Sequence, residues 1–93
     1  MASLELAQNY PNPFNPVTTI KFGLPENSMV KLSVYNLPGQ KVRELVRGTK
    51  AAGYYEAVWD GKNAAGQLVS SGLYVYRLET KTGVKAMKML LIK

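Results

Sequence analysis

From Thr18 to Leu24, Ile20, Phe22 and Leu24 alternate with Thr19, Lys21 and Gly23, the two-residue period of a strand with one buried face. Pro25-Glu26-Asn27-Ser28 is a turn cluster, and the alternation resumes from Met29 to Tyr35. There Val30, Leu32 and Val34 point inward, and Lys31 and Ser33 outward. Asn36-Leu37-Pro38-Gly39-Gln40 supplies a second turn, with Pro38 pre-setting φ and Gly39 free to take positive φ. Lys41–Arg47 is less regular. Val42, Leu45 and Val46 fit a helical turn or a bulged edge strand, and the short length and β-branched content favour the strand. Gly48–Gly53 then closes the element.

Farther on, Tyr55, Ala57 and Trp59 share one face, while Tyr54, Glu56 and Val58 share the other. Ser70-Ser71-Gly72 precedes a strand over Leu73–Thr80, with Tyr74, Tyr76 and Leu78 on one side. Gly72 followed by Tyr74 marks a candidate tyrosine-corner anchor, although periodicity does not single out one tyrosine. Lys81-Thr82-Gly83 is a hairpin turn, and Lys85–Ile92 closes the pattern with Met87, Met89 and Leu91 on one face. Short strands with turn signals every ~8–12 residues are the pattern of a sandwich or small barrel. The predicted fold is an all-β, immunoglobulin-like antiparallel β-sandwich of about seven strands. Its expected core is Ile20, Phe22, Val30, Leu32, Val34, Trp59, Tyr74, Tyr76 and Met89.

Two segments stand outside this alternation. Tyr10-Pro11-Asn12-Pro13-Phe14-Asn15-Pro16 carries three prolines in six residues, which fixes φ at each and excludes helix. Such a stiff segment can bury Tyr10 and Phe14 while its asparagines hold turns, and it reads either as a rigid connector or as a recognition handle. Asp60-Gly61-Lys62-Asn63-Ala64-Ala65-Gly66-Gln67 superficially suggests a calcium loop, but the later carboxylates and the closing Glu are missing. A structural turn fits better, with Asp60 and Asn63 accepting backbone N–H groups.

Composition narrows the function classes. The 93 residues, with no His, no Cys and a single Asp beside five Glu, are the size of one domain, supply no thiol or imidazole, and poorly supply a paired-carboxylate site. The expectation is no enzyme, no cofactor and no metal. A net charge of +6 raises anionic partners. The cations are scattered, however, with no basic helix or RNP-like aromatic pattern, so nucleic acid is not expected. A local excess remains at the end, where Arg77, Lys81, Lys85, Lys88 and Lys93 oppose a single Glu79. No apolar run reaches the ~18 residues of a membrane span, and Met1-Ala2-Ser3-Leu4 lacks the features of a signal peptide. Residues 1–3 read as a leader and residues 4–93 as the domain.

Leu6-Ala7-Gln8-Asn9-Tyr10-Pro11-Asn12-Pro13-Phe14-Asn15-Pro16-Val17-Thr18-Thr19-Ile20 closely resembles the opening of the type A C-terminal sorting domain of the type IX secretion system. Val34–Val42 resembles the central strand-turn-strand motif of that family, and Ser71–Leu78 with Lys88-Met89 resembles its closing motifs. Gly53–Gly61, ending Trp59-Asp60-Gly61, is also similar to the immunoglobulin-like domain of flagellar hook-capping proteins. Pro38 departs from the small or charged residue common before the glycine; it stiffens the turn without reversing it.

The resemblance implies a non-catalytic secretion signal at the C-terminal end of a larger exported protein. Such a domain is carried through the periplasm and across the outer membrane, read by the outer-membrane secretion machinery, and commonly removed by a sortase-like peptidase that joins the N-terminal cargo domain to the cell surface. The sorting-motif residues carried over are Tyr10, Pro11, Asn12, Pro13, Phe14, Asn15, Pro16, Gly39, Gly72, Tyr74, Lys88 and Met89, and the positive charge of the last hairpin adds Lys85 and Lys93. The recognised surface is expected to combine the proline segment with the last hairpin, Gly72–Lys93. The competing readings are an immunoglobulin-like assembly module and a carbohydrate-binding module using Tyr54 and Tyr35.

Overall fold

Alternation with one apolar face requires a second layer to cover that face. The computed structural model, which describes residues 3–93, supplies it as two packed antiparallel sheets. Seven strands form in chain order: β1 (Glu5–Leu6), β2 (Thr18–Leu24), β3 (Ser28–Asn36), β4 (Lys41–Lys50), β5 (Gly53–Trp59), β6 (Gly72–Thr80) and β7 (Gly83–Leu91). One sheet has the order β1-β2-β5 and the other β4-β3-β6-β7. This is the immunoglobulin-like sandwich that the alternation predicts. Met1 and Ala2, the start of the expected leader, lie outside the described residues.

All nine expected core residues are buried, and Leu4, Phe14, Leu24, Ala57, Leu78 and Leu91 join them. Burying each large side chain contributes about 1.5–3 kcal/mol. The irregular pattern of β4 has a local cause. Leu32 faces Val46 while Ser33 faces Glu44, and Val34 faces Arg43 while Tyr35 faces Lys41, so Leu45 and Val42 are extra residues in two bulges. The bulges turn Val42, Leu45 and Val46 all toward the core despite their uneven spacing. This strand also runs on to Lys50 rather than stopping at Arg47, because Gly48, Thr49 and Lys50 continue to pair with Val30, Met29 and Ser28.

Two inward–outward expectations are corrected. Ser33 occupies an outward position but is fully buried, flanked across the sheet by Glu44 and Arg77. Long side chains lying along a sheet can cover a small neighbour. Tyr10 is 81% exposed rather than buried beside Phe14. Its backbone exchanges both hydrogen bonds with Thr19, extending the edge of the first sheet, and strand parity then sends Asn9 inward and Tyr10 outward. β1, a two-residue strand paired with Phe22 and Gly23, was too short to carry an alternation signal.

Candidate recognition surface

The proline segment lies along the free edge of β7. Phe14 N–H donates to the Leu90 carbonyl at 3.0 Å, and Ile92 N–H donates to the Phe14 carbonyl at 2.9 Å. Leu90 N–H donates to Asn12 Oδ1 at 3.0 Å, and Gln8 Nε2 donates to the Lys88 carbonyl at 2.8 Å. Asn12 therefore bonds a distant strand instead of holding a local turn. Between them these contacts satisfy much of a strand edge that would otherwise be open.

Buried polar groups hold the segment in this position. Asn9, 2% exposed, donates through Nδ2 to the Pro11 carbonyl at 3.1 Å and to Thr18 Oγ1 at 3.0 Å. The Thr18 hydroxyl donates to the same Pro11 carbonyl at 2.9 Å. The fully buried Tyr76 hydroxyl donates to the Ala7 carbonyl at 2.6 Å and accepts Asn9 N–H at 2.8 Å. Burial raises the Tyr76 pKa above its ordinary value, while the bond from Asn9 opposes that shift. The donation to Ala7 needs the neutral phenol, the form that burial favours.

The sequence motifs meet at an aromatic cluster. Trp59 lies 5.7 Å from Phe14 and 5.4 Å edge-on from Tyr74, ring centre to ring centre. Trp59 Nε1 donates to the Lys62 carbonyl at 2.9 Å, and Gly61, at φ +76°, sits against Pro16. The Tyr74 hydroxyl donates to the Ser70 carbonyl at 2.6 Å, the bond of a tyrosine corner. Tyr74 is thus the anchor that periodicity left unassigned. In the loop, Asp60 Oδ1 accepts Lys62 N–H and Arg43 Nη1, and Asn63 Oδ1 accepts Ala65 and Gln67 N–H. Both side chains cap a turn, as expected.

Gly39 takes φ +98° in the β3–β4 turn, which Asn36 closes by accepting Gln40 N–H at its Oδ1. That turn shares an end of the sandwich with Tyr74, because Asn36 pairs with Tyr74 and Tyr74 with Met89. Of the fourteen sequence-derived residues, the structure gathers the proline segment, Gly39, Gly72, Tyr74 and Met89 at this end. Lys93 joins them through its N–H to Ser71 Oγ at 3.1 Å.

Lys88 projects outward from β7 opposite Val75, whereas Lys85 takes the other face of the strand, opposite Leu78 and beside Glu5 and Lys21. The two lysines do not share a face. Gln8 and Asn9 carry no signal in the alternation, and Tyr76 is expected there only as a core residue, although all three lie inside the strings that carry the resemblance. Tyr35 and Tyr54, the candidate sugar platform, stand on different sheets, so their rings cannot form one surface. Tyr35 is also engaged by Arg77, whose guanidinium lies 4.6 Å from its ring centre.

The comparisons with known proteins agree with this architecture. Latent PorU from Porphyromonas gingivalis is 21% identical, with a TM-score of 0.75 over 99% of this chain and 10% of that one. PorZ, a surface component of the type IX secretion system of the same bacterium, is 17% identical, with a TM-score of 0.56 over 97% of this chain and 11% of its own. FlgD from P. aeruginosa is 26% identical, with a TM-score of 0.62 over 81% of this chain and 59% of that one. The chain thus spans about a tenth of PorU and PorZ. No curated protein matches it. The FlgD Ig-like domain family matches over residues 11–83, most of the length and the strands from β2 to β6, and the chain belongs to that family.

Proposed function

We propose that this domain is a non-catalytic secretion signal of the type IX system, carried by a larger exported protein and read by the outer-membrane machinery on the way to the cell surface. The observation that carries the reading is the union of the proline segment with the end of β7. Residues 8–14 and Lys88–Ile92 form one hydrogen-bonded unit, stiffened by proline on one side and by a sheet on the other. A receptor that reads shape needs a surface that keeps its shape when free. The fold shared with PorZ and PorU supports the same reading. The role this reading assigns to the surface is recognition of its shape. The sortase-like peptidase and the cargo domain are the partners this reading implies.

The test is a reporter carrying residues 4–93 at its tail in a type IX-competent bacterium. The wild-type fusion reaches the surface, and replacing Lys85, Lys88 and Lys93 by Glu strands it in the periplasm. Normal surface delivery of the triple variant would overturn the lysine assignment, and failure of the wild-type fusion to leave the periplasm would overturn the function. Membership of the FlgD family favours one alternative, an assembly module. In that case deleting the domain would leave export of its parent unchanged.

A further inference from the structure

The four sheet edges are unequally protected. β4 carries two bulges and four cations (Lys41, Arg43, Arg47 and Lys50), and its Val42 carbonyl accepts Ala64 N–H at 3.2 Å. The end of β7 lies under the proline segment, and β1 is only two residues long. Each is a recognised way of blunting an edge. β5 has none of these. It pairs with β2 over seven residues without a register shift, and it holds no proline, lysine or arginine.

The backbone groups left open on β5 follow from its neighbours. Thr19 exchanges both hydrogen bonds with Tyr10, and the Lys21 carbonyl accepts Ala7 N–H, so odd-numbered β2 residues face β1. Even-numbered ones face β5, where Phe22 opposes Tyr55 and Ile20 opposes Ala57. Tyr55 and Ala57 therefore point their N–H and C=O groups at β2, and Tyr54, Glu56 and Val58 point theirs away. The side chains of Tyr54 and Val58 are 73% and 59% exposed.

Charge selects the occupant. Glu44, Asp60 and Glu79 each have a cation within 4.0 Å, whereas Glu56, like Glu5 and Glu26, has none that near among the described residues; Lys21 stands opposite it on β2, and its other side is open, in a chain of net charge +6. A second copy pairing antiparallel about Glu56 would set that carboxylate against itself and join two strongly basic chains. Like charges directly opposite are destabilising.

We infer that the free edge of β5 accepts an extended segment of a different protein, antiparallel, apolar at alternate positions and with a Lys or Arg opposite Glu56. This strand-addition site is separate from the surface at the end of β7, and it stands or falls independently of the sorting reading.

A suitable probe is a fluorescein-labelled peptide of residues 17–24, Val-Thr-Thr-Ile-Lys-Phe-Gly-Leu, which already suits the other side of β5 with Lys21 opposite Glu56. It is titrated against the intact chain by anisotropy, with amide exchange followed by NMR. The peptide binds, slows exchange of the Tyr54, Glu56 and Val58 amides, and binds roughly five- to tenfold more weakly to Glu56→Lys. Glu26→Lys, the same charge change in the β2–β3 turn, leaves binding unaltered. Changing the peptide's Lys to Glu weakens binding equally, and this arm leaves the protein untouched should Glu56→Lys misfold. The inference is overturned by absence of binding at about 1 mM peptide, or by insensitivity to both charge reversals. Protection confined to β4 or β7, or self-association of the chain through β5, would overturn it as well.

Discussion

Replacing Tyr76 by Phe removes one oxygen and leaves a fully buried ring in place, so the change isolates the bonds that tie the N-terminal segment to β6. Two bonds to that segment are lost, the donation to the Ala7 carbonyl at 2.6 Å and the acceptance of Asn9 N–H at 2.8 Å, together with a weak contact to Met87 Sδ at 3.6 Å. Ala7 is exposed, and water can replace the phenol there, whereas Asn9 is buried and its N–H is left without a partner. An ordinary lost bond costs about 0.5–1.5 kcal/mol and a stranded buried donor about 1–3 kcal/mol, so the expected loss is about 2–4 kcal/mol. Against a total stability of about 5–15 kcal/mol, that is a large fraction. Each kcal/mol lowers Tm by about 4–8 °C in a domain this small, giving a drop of roughly 8–32 °C. Urea unfolding measures the loss directly, with an unchanged m-value showing that the transition itself is intact. Amide exchange at Asn9 then locates it. A loss below about 0.5 kcal/mol with the Asn9 amide still protected would show that this hydroxyl does not anchor the segment.

Two further outcomes follow from the same geometry. Gly61→Ala places a Cβ 3.0 Å from the Pro16 carbonyl oxygen and 3.1 Å from Pro16 Cβ, at φ +76°, so strain and collision combine to destabilise by about 2–3 kcal/mol in thermal unfolding. Gly39→Ala, at φ +98° with nothing within 4 Å, bears only the conformational part, and equal losses at the two sites would refute the contact with Pro16. Hydrogen bonds from Arg47 hold the Glu44 carboxyl at about 2, against a smaller opposing effect of burial. Because this folded-state value is depressed, its stabilisation is present above the ordinary carboxylate pKa of about 4.3 and is lost as pH falls through about 2. The stability gap between wild type and Glu44→Gln therefore closes on acidification, and a pH-independent gap would refute the pairing.

Residues that act within one strand were legible from the chain. Ile20, Phe22 and Leu24, or Tyr74, Tyr76 and Leu78, fall on one face because a strand repeats every two residues, and each is buried. Tyr10 was misplaced because three prolines mask parity, and its side is decided by pairing with Thr19, nine residues away. Val42, Leu45 and Val46 defied the period because bulges depend on the partner strand, not on local preference. The proline segment was visible as stiff, but nothing within it says that Asn12 and Phe14 bond to Leu90 and Ile92.

By itself, then, the amino-acid order determined an all-β chain, its core faces and its turns, because backbone sterics and side-chain alternation are properties of near neighbours. Tertiary structure alone decided that Phe14, Trp59 and Tyr74 share one cluster, that Lys85 and Lys88 part to opposite faces, and that β5 keeps an open edge. Those outcomes depend on which strands become neighbours. Sheet order is set by the joint burial of both layers, a long-range balance that no single segment encodes.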